Sequence, residues 1–264
     1  MGRYYYLIAG LQDISFDDGK APVTVESLRA ELYEALDASD RKVMDMLSLE
    51  DECRKLIGSQ RMEELIGQVK AEELSSDVPQ FMYTFVQEWM DESWREKAAH
   101  AEDRLWSLFY EYAMNSGNGF VRKWYEFNLD LNNILAAITA RKYNLDIQKV
   151  VVGSNATAQA LRTSGARDWG LGQELDFFDD VVRLLDEDDL SQRERKTDML
   201  RWRWLEDNTF FDYFTVERLF SYIVRLGMVE RWSSMDKAEG QKLFRKLIGD
   251  LKEQTEVPEE FKTN

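Results

Sequence analysis

The amino-acid sequence predicts an all-α protein, a multi-helix antiparallel array in which long helices are joined by short turns. Three observations predict it. Only 3 prolines and 14 glycines punctuate 264 residues, too few turn residues for a β-sandwich or barrel of this length. Apolar side chains recur at three- and four-residue spacing along most of the chain. The hydrophobic share, 44%, is that of a globular chain with a buried core. One helical domain over residues 1–264 accounts for the length.

The elements follow in order. Residues 4–9, YYYLIA, are rich in aromatic and β-branched types and predict a short N-terminal strand or an extended anchor, tied down against helices. A polar connection leads to a helix near 24–38, with Leu28, Leu32, Ala35 and Leu36 on one face. A second helix passes through Val43 and Met46. Ser48-Leu49-Glu50-Asp51 then has the spacing of a capping box opening a new helix before Cys53, Leu56 and Ile57. Met62, Leu65, Ile66 and Val69 mark the next helix, and residues 75–79 break it.

Phe81, Phe85 and Trp89 open the most aromatic region, followed by Leu105, Leu108, Phe109 and Tyr112 on one helical face. Asn115 to Gly119 is a turn; it lacks the lysine and the preceding strand of a phosphate loop. A long helix over 120–143 carries Trp124, Phe127, Leu131, Ile134, Leu135 and Ile138 on its apolar side, and residues 150–157 form a connector with a brief strand. Leu171, Leu175, Phe178, Val182 and Leu185 predict another helix, ended by the acidic run 186–190. Ser191 to Glu194 offers a capping box for a helix reaching Leu205. Two final helices are marked by Val216, Leu219, Phe220 and Ile223, and by Leu243, Phe244, Leu247, Ile248 and Leu251. Residues 255–264 form a polar, frayed tail.

The net charge of −16 repels phosphate backbones and anionic head groups, which argues against a nucleic-acid partner. No stretch approaches the roughly 20 apolar residues of a membrane span, and the N-terminal apolar run is too short for a signal peptide. The expected location is cytoplasmic, without direct membrane insertion. Cys53 is the sole cysteine, so no intrachain disulfide or CxxC site is available, and it reads as a small buried apolar residue. His100 is the sole histidine. Lys97 stands where a Glu-x-x-His metal pair would need glutamate, so His100 reads as a solvated helix residue. Asp179-Asp180 and Asp186 to Asp189 lack the glycine and ligand alternation of a calcium loop. No catalytic, cofactor-binding or metal site is predicted, and the chain is expected to bind other proteins rather than to act as an enzyme. Trp202 and Trp204, two positions apart, point to different sides of a helix, which predicts at least one of them at the surface or an interface.

Three segments carry a resemblance. The opening, YYYLIAGLQDISFDD, resembles that of a bacterial family of uncharacterised proteins associated with V-type ATPase systems. The run from Trp124 to Leu135, with Asp130 and Asn133, looks like a helix of the V/A-type ATPase C subunit, called d in eukaryotes. Phe214 to Ile223, with Glu217 and Tyr222, is similar to that family's C-terminal helix. The continuation Gly227 to Trp232 departs from the family, where an asparagine usually follows, and this chain is shorter than a typical member.

The resemblance implies the helical array of that family and a non-catalytic central-stalk component of a V-type ATPase or ATP synthase. Such a component is a socket between the rotating central shaft and the proteolipid ring, and binds no nucleotide. The implied partners are the shaft and ring subunits, and the implied association with the membrane is peripheral, through the complex. Leu49-Glu50-Asp51 followed by Arg54 and Leu56 echoes Asn128-Leu129-Asp130 followed by Asn133 and Leu135, the mark either of internal helical pseudo-repeats or of chance likeness between two amphipathic helices. Asp130 and Asn133 lie together at the edge of an apolar face, where they would fix helix packing by hydrogen bonds. The alternative is an unrelated acidic helical adaptor that binds another protein through its acidic or aromatic faces. An enzyme using carboxylates and a divalent metal comes last, for want of any ligand motif.

Overall fold

The structure is a computed structural model that describes residues 4–91 and 100–254, with side chains as far as Asp236. Its helices begin where short polar side chains can satisfy the free amides of the first turn. Thr24 caps α2 (Val25–Ala35), Asp37 caps α3 (Ala38–Leu56) and Ser59 caps α4 (Gln60–Ala71). Pro79 precedes α5 (Gln80–Met90), and His100 precedes α6 (Ala101–Met114). Asn118 caps α7 (Gly119–Lys142), Asp146 caps α8 (Ile147–Val150) and Asn155 caps α9 (Ala156–Thr163). After α10 (Phe178–Leu184), Asp189 caps α11 (Leu190–Asn208), and α12 (Val216–Gln254) completes the described chain. With α1 (Tyr5–Ala9) there are twelve helices and no strand among the described residues, so the protein is all-α.

Several local expectations are corrected. YYYLIA is not a strand: Tyr5–Ala9 is one helical turn, with the Ile8 amide bonded to the Tyr4 carbonyl at 3.0 Å. A strand must find a neighbour for its backbone groups, and none is at hand, whereas a turn of helix satisfies its own. The same holds for the connector at 150–157, which comprises the end of α8, a loop and the start of α9. Ser48 is interior to α3, because the Asp37 carboxylate has already capped that helix at the Ser39 and Asp40 amides. The cap of α11 is likewise Asp189 rather than Ser191. Leu171 and Leu175 lie in turns, helix resuming only at Phe178, after Trp169 and Gly170 adopt φ of 53° and 80°. The two terminal helices are one, 39 residues long, since neither proline nor a capping sequence interrupts it. The expected frayed tail at 255–264 lies outside the described residues.

The long α7 is the hub. Helices α6, α8, α9, α10 and α11 all pack on it, while α12 packs on α2, α3 and α11. Phe127, Asn128, Leu129, Asp130 and Leu131 are all buried, so this turn of α7 is packed on every side, between the exposed Glu126 and Asn132. That position sets a demand: polar side chains there must find hydrogen-bond partners inside the protein. Trp202 is buried, and the Trp204 ring stacks on Phe127 at 5.3 Å, so both tryptophans face packed neighbours. Trp204 is half-buried, α11 being flanked by α7 and α12, so neither is fully exposed.

Candidate functional site

Of the four residues singled out in the sequence, two act together. Asn133 is 2% exposed; its Nδ2 donates to the Val152 carbonyl and its Oδ1 accepts the Val152 amide, both at 2.8 Å. One turn away, the Asp130 carboxylate accepts Asn155 Nδ2 at 2.7 Å and a hydrogen bond from Thr157. Asn155 in turn caps α9 through Oδ1. Arg162 closes the clamp from the other side, donating to the carbonyls of Gly153 and Val151 at 2.7 and 2.6 Å. Residues 151–155 are thus held on α7 as a β-partner would be, but by side chains. Burial pushes the Asp130 carboxyl up from 3.8 to about 6, against the lowering effect of Asn155 and Thr157.

Glu217 and Tyr222 lie elsewhere. Glu217 accepts Asn118 Nδ2 at 2.7 Å, tying the start of α12 to the residue that caps α7. The buried Tyr222 hydroxyl donates to the Gln12 carbonyl at 2.8 Å and pins the N-terminal segment to α12; burial raises its pKa. The four residues therefore hold three different connections to α7 and α12.

A second polar cluster was not singled out from the sequence. Between α3, α7, α11 and α12 lies a cleft of about 640 Å³. At its floor Arg201 donates to Asn128 Oδ1 and Asn132 Oδ1, each at 2.9 Å, and to Asp198 at 3.1 Å. Asp198, 3% exposed at its side chain, also accepts Trp232 Nε1 at 2.9 Å and pairs with Arg231. Burial pushes the Arg201 guanidinium down, as it does that of Arg231, which Arg54 lowers further. The Tyr125 hydroxyl donates to Glu50 at 3.1 Å, and Glu50 also accepts Arg54 at 2.5 Å. Every guanidinium named here already has a carboxylate partner. Arg231 also faces Glu194 at 3.7 Å, so Arg54, Arg201 and Arg231 meet Glu50, Asp198 and Glu194, and the cluster joins α3, α7, α11 and α12 by paired charges.

The third feature is apolar and exposed. The loop between α11 and α12, residues 209–215, presents Phe210, Phe211 and Tyr213, and α1 presents Tyr5 and Tyr6 beside it. The Tyr5 and Phe214 rings are 5.0 Å apart, those of Tyr5 and Tyr6 5.6 Å, and those of Phe210 and Phe211 4.9 Å. An aromatic run, FFDYF, between two amphipathic helices was the signal in the sequence for this surface.

His100 is exposed, 3.4 Å from Asp103, and Cys53 is buried, its thiol pushed up to about 12 by burial and by Glu52 and Glu50. Among the described residues no group of three histidine, cysteine or carboxylate side chains could hold a metal ion, and no helix is long and apolar enough to cross a membrane. A family model described as "Protein of unknown function (DUF2764)" matches residues 1–255. No curated protein and no solved structure matches the chain.

Proposed function

We propose, from the premise that the chain belongs to the DUF2764 family of proteins of unknown function, that it is a non-catalytic, protein-binding component of a V-type ATPase or ATP synthase. In this reading it is similar to the C subunit of the central stalk, lies between the rotor shaft and the proteolipid ring, and reaches the membrane only through that complex. The observation that supports a binding role is the aromatic surface of α1 and the 209–215 loop, where Tyr6 and Phe211 are 86% and 80% exposed. Each aromatic side chain carries roughly 150–250 Å². Several exposed side by side make a surface of the size that partners cover. The ATPase assignment is supported by the resemblance at residues 4–18, 124–135 and 214–223.

The test is an affinity pull-down of tagged protein from gently solubilised membranes of the source cells. Recovery of shaft or proteolipid subunits is the expected result, with raised salt loosening the complex where its charges are exposed. Recovery of an unrelated partner from the cytosol, with no ATPase component, would establish the adaptor reading instead.

A further inference from the structure

The aromatic surface has a charged border, and the border says what it fits. From Trp204 to Glu217 the chain carries Glu206, Asp207, Asp212 and Glu217, with Arg203 and Arg218 at the two ends of the run and Arg218 donating to Thr209 Oγ1 at 3.5 Å. Glu206 is neutralised by Arg225 at 3.0 Å, whereas Glu217 is bonded to the uncharged Asn118. Asp207, Asp212 and Glu217 thus border the rings within the loop, and the two arginines bracket it, on a chain of net charge −16. Their backbone is anchored. Thr209 is buried and donates to the Leu205 carbonyl at 2.7 Å, and the Asp212 amide closes a turn onto Thr209 at 3.1 Å. On the α1 side the buried Tyr4 donates its hydroxyl to Asp40. An anchored patch loses little conformational freedom on binding.

We infer that the surface formed by Tyr5, Tyr6, Phe210, Phe211 and Tyr213, bordered by Asp207, Asp212 and Glu217, docks a cationic amphipathic helix of a partner protein. A helix of that kind carries an apolar stripe flanked by lysine and arginine. Its aliphatic side chains meet the rings, its ammonium or guanidinium groups reach the carboxylates, and arginine also lies favourably over aromatic faces. An anionic lipid surface meets the same carboxylates as repulsion, as does nucleic acid. The inference rests on the reading of this surface as the docking face, but not on which complex the partner belongs to.

The probe is a synthetic amphipathic helical peptide of leucine and lysine, titrated calorimetrically into the full chain at physiological salt. Its leucine and glutamate counterpart is titrated in parallel. The lysine peptide binds and the glutamate peptide does not. Phe211→Ser with Tyr6→Ser weakens binding by about tenfold or more, as loss of aromatic anchors does. Asp207→Asn with Asp212→Asn weakens it several-fold and reduces its salt dependence. Tyr143→Ser, at the far end of α7 and roughly 36 Å along that helix from Asn118, has no effect. Tyr6, Asp207, Phe211 and Tyr143 are exposed and Asp212 is half-buried, and unchanged circular dichroism certifies each variant. Binding of the lysine peptide that Phe211→Ser with Tyr6→Ser leaves unchanged means diffuse charge attraction and overturns the proposal, as does no binding of that peptide at all. Binding of phosphatidylserine vesicles that depends on Phe211 overturns it in favour of a membrane surface. Specific peptide binding with no ATPase component in the pull-down removes the stalk assignment and leaves the surface chemistry standing.

Discussion

Replacing Asp130 by asparagine isolates the cost of keeping a carboxylate inside α7. The amide has the same shape and still offers an oxygen to Asn155 Nδ2, now 2.7 Å from the carboxylate. What it removes is the proton equilibrium. In the folded protein burial lifts this carboxyl from 3.8 to about 6. The folded state therefore holds the proton more tightly than the unfolded one. Below about pH 3 the group is neutral in both states and its contribution is fully present. As pH rises toward about 6 the unfolded chain ionises first, and stability is lost by roughly 3 kcal/mol; above that the penalty is constant. Asparagine carries no such term. Urea unfolding of both proteins, followed by tryptophan fluorescence at a series of pH values, gives the difference directly. The wild type should lose roughly 3 kcal/mol relative to Asp130→Asn between about pH 3 and about pH 7. A difference that stays flat within about 0.5 kcal/mol, or rises with pH, refutes the argument that the carboxyl is buried where the clamp places it.

Other perturbations address the remaining contacts. Asn133→Leu deletes both 2.8 Å bonds to Val152 and should cost about 1–3 kcal/mol in urea; a neutral result would mean that residues 151–155 do not depend on it. Asp198→Asn leaves Arg201 and Arg231 without the carboxylate they share and should cost about 3–5 kcal/mol, measured by the same unfolding curves. Gly153→Ala forces a side chain onto a backbone at φ +77°, with its Cβ 3.1 Å from Leu129 Cδ2. It should lower stability by about 1–2 kcal/mol, and a melting temperature equal to wild type would contradict the left-handed turn. Far-UV circular dichroism of the full chain should report more than about half helix, against the usual third.

The amino-acid sequence by itself determined that the protein is helical. The spacing of Leu105, Leu108, Phe109 and Tyr112, or of Phe127, Leu131 and Ile134, is a local property that survives any arrangement of the helices. It also excluded a zinc site built of histidine and cysteine alone, because one His and one Cys are too few ligands. Short segments were decided elsewhere. YYYLIA has strand-forming side chains, yet six residues carry too little propensity to outweigh the lack of a pairing neighbour, and they coil instead. Ser48 and Ser191 have capping spacing, but a helix that Asp37 or Asp189 has already started runs through them.

Partners distant in the chain were decided only by the tertiary structure. Asp130 and Asn133 sit on an apolar face in the sequence, but nothing local says that their partners lie 25 and 19 residues on. The meeting of Asp198 with Trp232, 34 residues away, is equally invisible, as is that of Tyr5 with Phe214 across nearly the whole chain. Helix periodicity arises from bonds four residues apart, which a sequence displays directly. Which helices lie side by side depends on how all the apolar faces are covered at once, and that is a property of the folded chain alone.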